Sequence, residues 1–405
     1  MRILYLHQYF HTPDMPGSTR SYEMAKRWVE AGHHVDVVSA TAPPGTEGWH
    51  CQTVDGVNVH NTHIPYSNEM SYANRIRAFI RFAWQSGRRA QKIGGDLVFA
   101  TSTPLTIALP ATYAASRLRI PMVFEVRDLW PELPIAVGAL RNPLLIGMAR
   151  RLERFAYRRS EQIIALSPGM AEGVASTGYP PERIVVAPNA SDIERFDVDE
   201  SQGNEFLAQH PELTGGPLVV YTGTLGKLNG VTYLAEIAGA MREINPAVKF
   251  LVVGGGFEKK LLRETADREG VLNQTFFILD QLPKNEMPKV LSAATVATSL
   301  FIDLPEMWNN SANKFFDALA ARRPVMINYS GWQAELLRQS EAGIVVPPRD
   351  AKVAARTLNE LLVDEGRLTA ASRNAAALAK RDFDRDQLSR TVLRSIETAQ
   401  SEYRR

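Results

Sequence analysis

Several short stretches of this 405-residue sequence combine residue types and spacings that can do chemistry. In the stretch Asn309-Asn-Ser-Ala-Asn-Lys-Phe-Phe-Asp-Ala-Leu-Ala-Ala321, polar residues lead into an amphipathic helical pattern. Ser311 is the expected N-cap. Asn313 and Asp317 stand four apart and share a helix face. Lys314, in the first turn, can neutralise a diphosphate. The Asp317 carboxylate accepts through two oxygens and can take both hydroxyls of a ribose. A second stretch, Tyr221-Thr-Gly-Thr-Leu-Gly-Lys-Leu-Asn-Gly230, joins a strand pattern to a helix pattern. Its glycines leave backbone N–H groups open to a diphosphate, and Lys227 adds positive charge. It is neither a Walker sequence nor a Gly-x-Gly-x-x-Gly fingerprint. Gly254-Gly255-Gly256, after the next strand, makes a second loop of the same kind.

Two further stretches lie in the first half. His7-Gln-Tyr-Phe-His11 runs into Pro16-Gly-Ser-Thr-Arg20, and a helix pattern follows. Gly17 permits close backbone approach. Ser18 or Thr19 is placed to cap the helix, whose first N–H groups suit an anion or a sugar hydroxyl. Arg20 can grip a phosphate with two parallel hydrogen bonds. The stretch Glu125-Val-Arg-Asp-Leu-Trp-Pro-Glu132 stands at the carboxyl end of an apolar strand. Asp128 can orient or deprotonate a hydroxyl, and Arg127 can bind phosphate. The alternative is a structural Arg–Asp pair at a strand end.

These loops need elements to hold them. The first half alternates strand patterns (Ile3–His7, His34–Ser39, Val57–Ile64, Leu97–Thr101, Met122–Val126, Ile163–Leu166, Ile184–Ala187) with helical ones. Ser21–Ala31 is one such helix, with Met24, Trp28 and Ala31 on one side. A second alternation runs through Leu218–Thr222, Lys249–Val253, Thr275–Leu279, Val296–Leu300, Val325–Asn328 and Gly343–Val346. Alternation of this kind implies βαβ units and parallel sheets covered on both faces, with ligands beyond the carboxyl ends of the strands. The length agrees with two domains of roughly 150 residues or more. Residues 1–195 are expected as the first domain, 196–217 as a Gly- and Pro-containing linker with some helix in it, and 218–383 as the second. Residues 384–405 are expected as a closing helix, with Leu388, Val392 and Ile396 in one stripe.

The balance of 46 Lys and Arg against 44 Asp and Glu speaks against a nucleic-acid binder. A single cysteine, Cys51, rules out an intramolecular disulfide and any Cys-based metal site. No window reaches the ~18 uninterrupted apolar residues of a membrane span, and the N-terminus lacks a signal-peptide pattern. The pairs Asp197-Val-Asp199 and Asp382-Phe-Asp384, and His60-x-x-His63, read as structural, and no metal is expected. Residues 72–92 read as a basic helix in which Tyr72, Ile76, Phe79, Ile80 and Trp84 lie near one face, with Arg75, Arg77, Arg81, Arg88, Arg89 and Lys92 adding charge. It suits either an anionic membrane surface or packing on a sheet.

Taken in order, the motifs resemble the retaining GT-B glycosyltransferases of family 4, and within it the branch that builds bacterial O-antigen and capsular polysaccharides. The resemblance rests on Gly17-Ser-Thr-Arg-Ser-Tyr-Glu-Met-Ala-Lys, Gly32-His-His-Val, Val126-Arg-Asp-Leu-Trp-Pro-Glu, Val186-Ala-Pro-Asn189, Tyr221-Thr-Gly-Thr-Leu-Gly, Val252-Val-Gly-Gly-Gly and Asn313-Lys-Phe-Phe-Asp-Ala-Leu-Ala. It implies two Rossmann-like domains facing a cleft, a closing helix that crosses back to the first domain, and transfer with retention from a nucleoside-diphosphate sugar, UDP being favoured. The acceptor is expected to be a glycan carried on a lipid. The protein is expected in the cytoplasm, peripheral on the inner face of the cell membrane, with no cofactor.

The implied donor residues are Gly17, Gly223, Thr224, Lys227, Gly254, Gly255, Asn313 and Asp317. The implied acceptor residues are His11 and Arg20, and the catalytic ones Arg127, Asp128 and Lys314. The chain departs from the family at five positions. Asn309 and Asp317 stand where many members carry two glutamates, and Thr224 and Asn229 where many carry Arg and Lys. Lys227 and Lys314 are then the cations left to meet a diphosphate. Arg127 takes the place of a common histidine. An epimerase on the same architecture, or a non-catalytic glycan- or nucleotide-binding partner, is the competing expectation.

Overall fold

The computed structural model describes residues 1–12, 15, 17–65, 70, 72–102 and 104–403, without the side chains of Tyr72, Ala73 and Arg75. Pro16 of the Pro16–Arg20 stretch, and the roles expected of Tyr72 and Arg75, fall outside that set. The chain forms two compact units, Met1–Pro188 with Asp386–Arg405, and Asn189–Arg385.

The first unit is built on eight strands: β1 (Arg2–Leu6), β2 (His34–Ser39), β3 (Trp49–Val54), β4 (Val57–Thr62), β5 (Leu97–Thr101), β6 (Met122–Val126), β7 (Gln162–Ala165) and β8 (Ile184–Val186). They lie in the order β3-β4-β2-β1-β5-β6-β7-β8, and all neighbours are parallel except β3 on β4. Strand β3 was not expected. It is an edge strand of mostly exposed residues, so no apolar period marks it. Alternate residues of each inner strand enter opposite cores. Leu4 and Leu6 join one core, with α2 (Tyr72–Ile93), α3 (Ala108–Leu118) and α5 (Pro143–Arg158). Ile3 and Tyr5 join the other, with α1 (Arg20–Glu30) and the C-terminal helix Arg385–Tyr403. Met24 and Trp28 of α1 are buried there, while Ala31 is the exposed C-cap. A short α4 (Glu132–Ala136) precedes α5, and α6 (Pro168–Ser176) follows β7.

The second unit has six parallel strands: β9 (Leu218–Thr222), β10 (Lys249–Val253), β11 (Phe276–Leu279), β12 (Val296–Ser299), β13 (Val325–Ile327) and β14 (Gly343–Val345), ordered β11-β10-β9-β12-β13-β14. Most of the stretch expected as a linker is folded. It forms α7 (Ile193–Phe196) and α8 (Glu200–Gln209), which bury Phe196 and Phe206. A Cβ on Gly203 would lie 2.7 Å from the Ser292 carbonyl carbon, which is how closely α8 packs. The remaining helices are α9 (Thr232–Ile244), α10 (Lys259–Arg268), α11 (Met287–Ala293), α12 (Asn313–Ala320), α13 (Trp332–Ser340), α14 (Ala351–Val363) and α15 (Glu365–Asp382). The C-terminal helix is α16, and its Val392, Ile396 and Ala399 fill the first unit's core.

Candidate functional site

In the second unit the fold brings the glycine loops and the start of α12 together. Tyr221, near the end of β9, donates its hydroxyl to the Thr224 carbonyl (2.9 Å) and accepts from Lys314 Nζ (2.9 Å). Lys314 Nζ also donates to Asn229 Oδ1 (2.9 Å) and lies 4.6 Å from the Tyr221 ring and 5.6 Å from that of Phe301. Among the described residues this socket offers dipoles and ring faces but no negative charge. Burial therefore pushes the ammonium down to about 7. Asn229, not Lys227, is the loop residue that meets Lys314. Lys227 stands exposed on a single turn, Lys227–Asn229.

The two glycine loops are laced together. Gly223 N–H bonds the Val253 carbonyl, Leu225 N–H the Gly255 carbonyl, and Glu258 N–H the Leu225 carbonyl. A Cβ on Gly254 would overlap the Gly223 carbonyl oxygen, so the close approach needs glycine. Here the structure corrects the expectation for two positions. The N–H groups of Gly223 and Gly254 extend the β-ladders, the second to the Leu279 carbonyl, and are not offered to a ligand. Those of Thr224 and Gly255 make no hydrogen bond with a described residue.

α12 begins at Asn313 with Ala312 as N-cap and no side-chain cap. Ser311 is engaged elsewhere, which corrects its expected role. Its hydroxyl accepts from the Asn189 N–H (2.9 Å), and its carbonyl accepts from the Asn189 amide. Asp317 accepts from the Ser191 hydroxyl (2.8 Å). Burial pushes its carboxyl up to about 6, against the pull of Arg385. The segment after β8 thus steadies Ser311 and Asp317 of the Asn309–Ala321 stretch, a role the sequence reading did not assign to it.

In the first unit, the loop after β1 and the end of β6 meet. Arg127 N–H bonds the Ser102 hydroxyl (2.9 Å), and its guanidinium reaches the Ser18 hydroxyl (3.3 Å). Gly17 (φ +128°) lies so near His11 that a Cβ would come 2.6 Å from the ring. Asp128 is half-buried at the end of the same β6 loop. Thr19 is the N-cap of α1 but makes no side-chain cap hydrogen bond, contrary to expectation.

Arg20 is the clearest correction. Its guanidinium is buried against Glu125 (2.9 Å) and bonds the carbonyls of Pro188 (2.6 Å) and Ala187 (2.9 Å). It ties α1 to the ends of β6 and β8 and is not presented to an acceptor. Burial raises the Glu125 carboxyl, but Arg20, Arg127 and the Thr101 hydroxyl (2.6 Å) outweigh it and hold it below its ordinary value. His7, assigned no role from the sequence, lies buried with an unpartnered Nδ1. Burial, then Arg127 and His11, keep it neutral.

The residues read as structural have ordinary partners. Asp197 pairs with Arg322, Asp199 caps α8 through Ser201 N–H (2.8 Å), and Asp382 pairs with Arg381 (2.7 Å). His60 bonds Asp36 (2.9 Å), and His63 bonds the Ala42 carbonyl (3.0 Å).

The family profile described as "Glycosyl transferase 4-like domain" matches residues 17–190, and that described as "Glycosyl transferases group 1" matches residues 203–378. Glycogen synthase of Mycobacterium tuberculosis is 24% identical over 371 residues, covering 87% of this chain and 84% of its own. The putative colanic acid biosynthesis glycosyl transferase WcaI of Escherichia coli K12 is 28% identical over 305 residues, 67% of this chain and 71% of its own. The crystal structure of Anabaena HepE in complex with UDP and glucose superposes with a TM-score of 0.73 at 17% identity, covering 98% of this chain and 100% of that one. The chain belongs to the glycosyltransferases of GT-B fold.

Proposed function

We propose that this glycosyltransferase moves a sugar from a UDP-sugar to a lipid-linked glycan acceptor, with retention at the anomeric carbon, in the assembly of a bacterial surface polysaccharide. In this reading it works in the cytoplasm, at the inner face of the cell membrane. The observation that carries the reading is Lys314. A partly desolvated ammonium held only by a phenol, a carboxamide and two ring faces is a cation waiting for an anion. It stands at the first turn of a helix, where the helix dipole also favours negative charge. HepE supports the choice of UDP, and WcaI the pathway class.

The second unit holds the donor. Lys314, the N–H groups of Thr224 and Gly255, Lys227 and Asn313 meet the diphosphate, and Asp317 takes the ribose hydroxyls. As the bond from the anomeric carbon to the diphosphate oxygen breaks, its electron pair stays on that oxygen. Lys314 and the N–H groups stabilise the charge that develops there. The acceptor hydroxyl attacks from the face the diphosphate leaves, and the departing phosphate oxygen takes its proton. Asp128 orients that hydroxyl, and His11 and Arg127 contact the acceptor. The reading asks for no metal ion.

The test is a thermal-shift screen of nucleoside diphosphates and nucleotide sugars, followed by an assay of nucleotide release. A bound ligand raises stability by RT ln(1 + [L]/Kd). UDP should shift the wild type, and acceptor should speed its release from a UDP-sugar. An epimerase would change the donor with no acceptor present. A binding partner would shift without turnover. Either result would displace the transferase reading.

A further inference from the structure

Helices α2, α3 and α5 cover one face of the first sheet and share one core with it. Half of the large apolar side chains left exposed among the described residues lie on these three helices. They include Ile80 and Trp84 on α2 (both 61% exposed), Leu109 and Tyr113 on α3, and Leu144 and Met148 on α5 (78% and 67%). α2 and α3 contain no acidic residue. The single one in α5, Glu153, is buried, and burial pushes its carboxyl up to about 7. Each helix also sets a guanidinium near an aromatic ring: Arg88 at 4.3 Å from Trp84, Arg117 at 6.0 Å from Tyr113, Arg159 at 5.6 Å from Phe155.

The two kinds of residue are interleaved on α2 and ordered along α3 and α5. Each helix starts at the carboxyl edge of the sheet and runs back to the next parallel strand. On α3 and α5 the exposed apolar residues come first or in the middle, and Arg117 and Arg158 follow; on α2 the exposed Arg77 and Arg81 are interleaved with Ile76, Ile80 and Trp84, and Arg88 follows. On α5, Leu144, Met148, Arg151, Phe155 and Arg158 recur at helical spacing and form one stripe. The basic end of that stripe is a recess of about 540 Å³ lined by Gly147, Arg151, Arg154, Phe155, Arg158 and Arg159. None of these arginines forms a salt bridge with a described residue.

Single exposed apolar side chains are ordinary. A whole layer that combines them with guanidinium groups and exposes no carboxylate from its own helices fits a partner that is both anionic and apolar. We propose that the outer face of the α2–α3–α5 layer docks on an anionic phospholipid bilayer. The apolar band enters the interface, and the α5 recess takes a lipid phosphate. The docking stands on the surface alone. Its use rests on the transferase reading: it sets the carboxyl edge of the first sheet, with Arg127 and Asp128, beside the surface that presents a lipid-linked acceptor.

The experiment is co-flotation of the full chain with phosphatidylcholine vesicles, with and without phosphatidylglycerol. The wild type should float with the anionic vesicles only and be released by salt. Each arginine should contribute about fivefold in partitioning, so Arg151→Gln/Arg154→Gln/Arg158→Gln should lose about a hundredfold. Leu144→Ser/Met148→Ser should weaken flotation with the anionic vesicles at low salt. Both variants should keep the wild-type circular dichroism and thermal shift with UDP. Failure of the wild type to float with anionic vesicles, or undiminished flotation of the arginine variant, would overturn the proposal. So would capture by soluble polyglutamate without flotation, which would indicate an acidic protein partner. A wild type that floats but gives no shift with any nucleotide would sink the donor reading and leave the docking standing.

Discussion

Burying the Lys314 ammonium costs stability, and the proposed function gives that ammonium a diphosphate to meet. The ammonium is pushed down to about 7, from an ordinary lysine value of 10.5, by burial. Between those values the unfolded chain binds more protons than the folded one, so this group adds stability as pH rises through that window. Below about 7 its penalty is complete. Lys314→Met should therefore raise the melting temperature at pH 6–7 by circular dichroism, while Lys314→Ala and Lys314→Met both abolish sugar transfer. A diphosphate beside the ammonium restores its charge. UDP binding at pH 8 should then take up protons, and at pH 5.5 it should take up few through this group. Asp317, at about 6, is ionised at pH 8 with or without ligand and does not mask the effect. Calorimetry in two buffers of different ionisation enthalpy reads this directly, and equal apparent enthalpies at pH 8 would contradict it. For Asp128, Asn in its place should lower kcat more than it weakens UDP affinity. Equal losses would assign it a structural role.

At the scale of elements, the stability of the first site rests on one buried pair. Arg20 and Glu125 have side chains only 3% and 1% exposed, and they join α1 to β6. Replacing Arg20 with Met leaves a buried carboxylate without its main partner, a change that costs about 3–5 kcal/mol. The midpoint of urea unfolding should drop accordingly, and UDP affinity, which the proposed function places on the second unit, should stay within twofold. In the second unit, Gly223 has φ +137°, and a Cβ there would lie 3.3 Å from Lys314 Cε. Gly223→Ala should weaken UDP binding about tenfold, through about 1–2 kcal/mol of backbone strain and displacement of Lys314. The strands that hold these loops were legible because they are short apolar runs bounded by turns. His34–Ser39, Leu97–Thr101, Met122–Val126, Leu218–Thr222 and Lys249–Val253 begin and end where the pattern placed them. β3 escaped because it buries no face. The polar stretch after β8 read as a linker because its few apolar residues, Phe196, Phe206 and Leu213, are too far apart to show a period, yet all three are buried.

On the scale of the molecule, the chain's last helix completes its first unit. Val392, Ile396 and Ala399 sit in one core with Ile3, Tyr5 and Trp28, nearly the whole sequence away. Ile396→Ala should cost about 2–5 kcal/mol and lower the transition of the first unit in calorimetry, leaving a UDP-stabilised transition for the second. The stripe Leu388, Val392, Ile396 was visible as an amphipathic helix, but its destination was not, because a periodic pattern says which face is apolar and not what will cover it. The same limit applied to the sites. Residue types and loop positions singled out Lys314, Asp317 and the two glycine loops; the fold brings Lys314 onto the loop after β9 and sets Asp317 against Ser191. That Tyr221 and Asn229 hold Lys314, that Ser191 holds Asp317, and that Arg20 is spent on Glu125 depend on pairings across 85 to 126 residues of chain. Local sequence carries the propensities and the periods. Which polar group meets which is settled only when packing brings distant segments within hydrogen-bond reach, because a buried donor must find a partner wherever the fold provides one.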